Sequence, residues 1–144
     1  MARIAEAAAE FLTARRIAVT GVSREAGSHG GNAVLAGLRR RGFEVIPVNP
    51  QATELEGVPC YPTLAAIPGG VDAVVIATRP EHAAATVREC AELGITKVWM
   101  HRSLGGGSYS AEAVDVARQL GVRLIPGGCP LMFGADADRG HRMM

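Results

Sequence analysis

The run Val71-Asp-Ala-Val-Val-Ile-Ala77 constrains this chain more than any other stretch. It is almost unbroken in apolar residues, as expected for a central parallel strand covered on both faces. Four shorter runs end at similar signals. Arg16–Thr20 is β-branched and stops at Gly21, Gly42–Val48 stops at Asn49-Pro50, and Thr96–Met100 and Val122–Ile125 follow later. Between them the period changes to that of helices. Asn32–Arg41 places Val34, Leu35 and Leu38 on one face; Pro80 suits the first position of a helix running to about Leu93 and ended by Gly94; Ala111–Leu120 is capped by Ser110. Ile4, Ala8, Phe11 and Leu12 predict an N-terminal amphipathic helix over residues 3–14, packed outside the main sheet. Gln51 to Gly70, broken by Pro59, Pro62 and Pro68, reads as a connector with one helical turn at Leu64–Ile67, and residues 126–144 read as an irregular tail.

Strands alternating with helices imply βαβ units and right-handed crossovers. The expected class is α/β, a Rossmann-like three-layer fold with a five-stranded parallel sheet in the order 3-2-1-4-5. In that order the chain reverses between the first and fourth strands, so the loops after Thr20 and Met100 should line the ligand crevice. The 144 residues suit a single domain, 1–144, and leave no room for a separate catalytic one.

Composition narrows the ligand. Six aromatics argue against a nucleic-acid stacking platform, and a net charge of +1 supplies no field for DNA or a membrane, so anion recognition must be local. Cys60, Cys90 and Cys129 lack C-x-x-C spacing, which disfavours a disulfide framework or zinc ribbon and fits a reducing cytoplasm. Glu6 and Glu10 spoil a signal-peptide core, and no apolar run reaches eighteen residues. A cytoplasmic protein is expected.

Arg24, Arg79 and Arg102 each follow a predicted strand, where a guanidinium can grip a phosphate by paired hydrogen bonds. The first loop begins Gly21-Val22-Ser23. Its glycines could bring backbone N–H groups against a pyrophosphate at the start of the next helix, or it is an ordinary strand-to-helix loop. It is not G-x-G-x-x-G, and no acid follows Val48-Asn49-Pro50 to hold an NAD ribose. Both absences count against an NAD(P)-linked oxidoreductase, and no Gly-Lys-Ser/Thr marks a Walker loop. Of the histidines, His101 is the best ligand contact because it follows the fourth strand. Cys129, in Gly127-Gly-Cys-Pro130, could be imagined as a nucleophile with His29, His101 or His141 as base; a half-buried thiol in a tight turn fits better. These side chains lack metal-ligand spacing, Asp136 and Asp138 read as solvated, and no metal site is expected. Trp99 and Met100 read as core.

Ile17–Ser23, Phe43–Pro50, Gly57–Pro62 with Ile67-Pro68, Val71–Ala77 and Lys97–Met100 occur in an order and spacing that carry a family likeness. Together they resemble the small stand-alone bacterial CoA-binding domain proteins, relatives of the N-terminal domain of the succinyl-CoA ligase alpha subunit and of NDP-forming acyl-CoA synthetases. The likeness covers roughly residues 4 to 133. It implies that Gly21, Val22, Ser23 and Arg24 meet the CoA pyrophosphate and nearby phosphate, that Val48, Asn49 and Pro50 border the adenosine, and that Ala77, Thr78, Arg79 and Pro80 line the pantetheine path. Many relatives carry a basic residue and a proline where this chain has Ser28-His29. The related ligases depend on a phosphorylated histidine in a separate domain. The expectation is therefore a binding or sensor module for coenzyme A or an acyl-CoA, without catalytic residues and with any protein partner unknown. An NAD(P)-linked enzyme and an interaction scaffold with an empty Rossmann-like fold are the alternatives.

Overall fold

The computed structural model describes residues 2–22, 30–55, 57–102 and 107–133. Helix α1 (Ala2–Phe11) leads into strand β1 (Arg16–Thr20), helix α2 (Gly30–Arg40) and strand β2 (Glu44–Val48). The connector holds a short antiparallel ladder, β3 (Glu54–Leu55) with β4 (Val58–Pro59), absent from the sequence reading because two-residue strands show no periodicity. Strand β5 (Ala73–Ile76), a 3₁₀ turn at Pro80–His82, α3 (Ala83–Glu92), β6 (Lys97–Met100), α4 (Ala111–Leu120) and β7 (Arg123–Ile125) follow.

The five long strands form one parallel sheet with helices on both faces, the Rossmann-like α/β fold that was expected. The strand order differs. It is β2-β1-β5-β6-β7, so the third predicted strand lies beside the first, and the expected 3-2-1-4-5 becomes 2-1-3-4-5. Two sequence properties explain this. Ala73, Val74, Val75 and Ile76 are all fully buried, which an edge position would not provide. Pro47 in β2 has no N–H to offer a further strand, and this confines β2 to the edge. There the Pro47 carbonyl accepts from the Tyr61 N–H at 3.2 Å, so the returning connector covers the upper end of that edge.

Alternate residues of each strand face opposite layers. Ile17, Val19, Val75, Trp99 and Ile125 pack with Phe11 of α1 and Val34, Leu35 and Leu38 of α2. Ala18, Ile46, Val74, Ile76, Val98 and Met100 pack with Val87 and Cys90 of α3, Ala113 and Val116 of α4, and Leu64 and Ile67 of the connector. At the lower end of the sheet the backbone N–H groups of Arg16 and Arg15 both donate to the Asp72 carboxylate at 3.1 Å. Those bonds hold its pKa below the usual carboxylate value.

Helix α1 stops at Phe11, short of the predicted residue 14, where the Thr13 hydroxyl turns back to donate to the Glu10 carbonyl at 2.6 Å. Helix α4 begins as expected, with the Ser110 hydroxyl accepting from the Ala113 N–H at 3.1 Å. The start of the tail is better ordered than its sequence suggests. Pro130–Met132 form a 3₁₀ turn, and Leu131 seats on Gly37, where a Cβ would come within 2.6 Å of both its methyl groups. The Arg41 guanidinium donates to the carbonyls of Leu131 at 2.7 Å and Phe133 at 2.9 Å. Asp136, Asp138 and His141 lie outside the described residues. No helix among the described residues is long and apolar enough to cross a membrane.

Candidate functional site

The helices after β1 and β5 depart on opposite faces of the sheet, so the crevice opens between the carboxyl ends of these two neighbours. This moves it from the expected loops after Thr20 and Met100 to those after Thr20 and Ile76. Thr20 fastens the pair from within, its backbone carbonyl accepting from the Ala77 N–H at 3.2 Å. Gly21 then turns with φ 79°, and a Cβ there would lie 2.3 Å from the Ala77 carbonyl oxygen and 2.7 Å from the Thr78 nitrogen. Behind it stands Gly31 in the first turn of α2, where a Cβ would be 2.9 Å from the Gly21 carbonyl. Only glycine allows these three backbones to converge. The result is a backbone-walled recess at a helix start, a geometry suited to an anion.

From this recess a cleft of about 310 Å³ runs between α3 and the connector. Of the residues singled out by sequence, Gly21, Val22, Val48, Asn49, Pro50 and Thr78 line it. Ala77 stands against Gly21. Arg79 and Pro80 are exposed where the chain enters α3 and are not part of the lining. His101 lies one strand farther on, its N–H donating to the Ile76 carbonyl at 2.8 Å, and it too is outside the cleft. Its loop reaches the site through Ser108, which is buried and donates its hydroxyl proton to the Thr78 carbonyl. Ser23, Arg24, Ser28 and His29 fall outside the described residues. Arg102 is exposed, with its guanidinium 5.1 Å above the Tyr109 ring.

Sequence reasoning missed Pro62, Thr63, His82, Thr86 and Glu89, which complete the lining. The last three recur at i, i+4 and i+7, so α3 and the turn that leads into it present them as one stripe. That spacing was the available signal. Pro62 and Thr63 arrive because Val48 bridges Tyr61, and because the Asn49 N–H donates to the Tyr61 carbonyl at 2.9 Å.

Asn49 occupies the position where a dinucleotide enzyme would carry an acid. Its amide is engaged at both ends: Nδ2 donates to the Val22 carbonyl at 2.9 Å, and Oδ1 accepts from the Gln51 N–H at 2.7 Å. It therefore clamps the β2 exit to the β1 exit. Asn49→Ala should lower unfolding free energy by about 1–2 kcal/mol, since the part-buried Val22 carbonyl loses its partner. Urea denaturation measures this, and an unchanged midpoint would show that the clamp contributes nothing.

The thiols are poorly placed for nucleophilic chemistry. Cys129 is 1% exposed, fully enclosed rather than half-buried, because it packs into the layer with Phe11 and Trp99. Burial pushes the Cys90 thiol up to about 12, with the neighbouring Glu89 charge adding to it, and burial also raises that of Cys60.

A CoA binding domain family matches residues 15–135. The chain is 31% identical over 126 residues to the ADP-forming acetate–CoA ligase I of Archaeoglobus fulgidus, covering 83% of itself but only 18% of that ligase. It is 29% identical over 115 residues to the uncharacterized protein YneT of Bacillus subtilis, covering 80% of itself and 82% of YneT. A solved hypothetical protein from Pyrococcus horikoshii OT3 superposes with a TM-score of 0.78 at 28% identity, over 87% of this chain and 85% of that one. The family match runs from the start of the sheet past its last strand and takes in every cleft residue named above, and on that basis the chain belongs to the CoA binding domain family.

Proposed function

We propose that the chain, as one domain over residues 1–144, binds coenzyme A or an acyl-CoA as a binding or sensor module in the cytoplasm, without turnover of its own. The phosphates meet the recess at Gly21 and Val22, together with Ser23 and Arg24. The adenosine lies against Val48, Asn49 and Pro50, and the pantetheine leaves past Ala77, Thr78, Arg79 and Pro80, toward His101. The observation that carries this reading is the convergence of Gly21, Gly31 and the Ala77–Thr78 backbone at the head of the cleft, packed so closely that a Cβ at either glycine would collide with backbone. Asn49 in place of an acid supports it further. CoA carries a phosphate on its ribose, which a carboxylate would repel.

Calorimetry with coenzyme A, dephospho-CoA and NAD tests the proposal. Coenzyme A should bind tightest, with a fall in heat capacity as the pantetheine is buried. Arg24→Ala should weaken it about tenfold or more, the worth of a charge-assisted phosphate contact, while Arg118→Ala on α4 should not. The same protein incubated with acetyl-CoA should release no thiol above the uncatalysed rate. Equal or tighter NAD binding would overturn the ligand, and turnover lost in Cys129→Ala would overturn the non-catalytic role.

A further inference from the structure

The cleft contains a carboxylate, which is a poor neighbour for a polyanion unless it serves another part of the ligand. Glu89 is half-buried, and its Oε2 accepts from the Ala65 N–H of the connector at 3.3 Å. Its other oxygen has no hydrogen-bond partner among the described residues, and Glu89 is one of the residues that line the cleft. Six residues along α3 from its first residue, Ala83, Glu89 lies about 9 Å down the helix from the crevice edge, at 1.5 Å per residue. The acid therefore sits at the end of the cleft away from Gly21 and the start of α2, where the phosphates are proposed to bind. Around the upper cleft, Val22, Val48, Pro50 and Pro62 supply apolar walls suited to a flat ring.

We infer that Glu89 reads the base of the bound nucleotide, its free carboxylate oxygen accepting a hydrogen bond from the exocyclic amine of adenine. The inference rests on the coenzyme A reading above and adds to it a specificity-determining residue. Other donors on coenzyme A fit less well. The one free ribose hydroxyl lies beside the ribose phosphate, which a carboxylate repels, and the pantetheine amides are strung along a flexible chain. The adenine amine alone is carried by a rigid aromatic ring that can lie between apolar walls and present a donor at its edge. Replacing that amine by a carbonyl, as in hypoxanthine, sets two acceptors against each other.

Coenzyme A and its hypoxanthine analogue, titrated by calorimetry into the wild type and Glu89→Gln, decide the matter. In the variant the Gln Oε1 can still accept from Ala65, which keeps the connector in place, while Nε2 now donates into the cleft. The wild type should prefer the adenine form by about tenfold or more, and Glu89→Gln should lose or invert that preference. Glu89→Ala, which removes the acceptor altogether, should abolish the preference without inverting it. An adenine preference equal in all three proteins would overturn the role of Glu89 while leaving coenzyme A as the ligand. A wild type that binds neither form would overturn the coenzyme A reading and this inference with it.

Discussion

Gly21→Ala should remove the ligand site and about 3 kcal/mol of stability. The substitution meets two penalties. At φ 79° an L side chain strains the backbone by roughly 1–2 kcal/mol. The added Cβ would also sit 2.3 Å from the Ala77 oxygen and 2.4 Å from its carbonyl carbon, both of them backbone atoms that no rotamer change can move aside. Relief requires shifting the exit of β5 or swinging the β1 loop away, and Gly31 closes off the space behind. Either shift opens the recess on which phosphate binding depends. Thermal unfolding should show a midpoint lowered by roughly 10 °C, and calorimetry at low temperature should show coenzyme A affinity lost. A variant with wild-type melting and wild-type affinity would mean that the three backbones do not need to meet.

Trp99→Ala should cause the larger loss of stability, about 3–5 kcal/mol, and leave binding nearly intact. Trp99 is fully buried in the layer that α1 and α2 cover. Its ring meets Phe11 edge-on at 5.3 Å and Phe133 at 5.5 Å, and its indole N–H donates to the Gly127 carbonyl at 2.9 Å. It thus joins α1, β6 and the segment after β7 in one contact set. Removing it leaves a large cavity and an orphaned carbonyl, a severe loss for a domain whose total stability is expected to be about 5–15 kcal/mol. Urea unfolding measures the loss. Affinity for coenzyme A in the folded fraction should stay within about twofold, because Val22 is the one cleft residue that belongs to this cluster among the described residues. A strong fall in affinity with stability preserved would make Trp99 part of the site.

The elements were legible in the sequence because each announces itself locally. Val71–Ala77 is apolar on both faces, Ser110 opens α4, and Gly21 stands at the abrupt end of a β-branched run. The motifs around Val48-Asn49-Pro50 and Cys60-Tyr61-Pro62 identified the family for the same reason, as contiguous words. Strand order was less accessible. Only Val71–Ala77 read as covered on both faces, yet the expected order 3-2-1-4-5 put it at an edge, because a parallel sheet can be assembled in more than one order without changing any local pattern. Pro47 held the clue, since its missing N–H leaves a gap on the side of β2 away from β1, yet its weight appears only once the neighbours of β2 are known.

The site divides along the same line. Sequence alone determined that the chain folds as a Rossmann-like α/β layer structure and that Gly21, Val22, Val48, Asn49, Pro50 and Thr78 fall at strand ends, because period and turn chemistry act over a few residues. Tertiary structure alone decided that β5 lies beside β1, that Asn49 spends its amide on Val22 and Gln51, and that His82, Thr86 and Glu89 face the connector while His101 stands a strand away. Those placements depend on which helix packs over which strand, a free energy summed over contacts between residues distant in the chain.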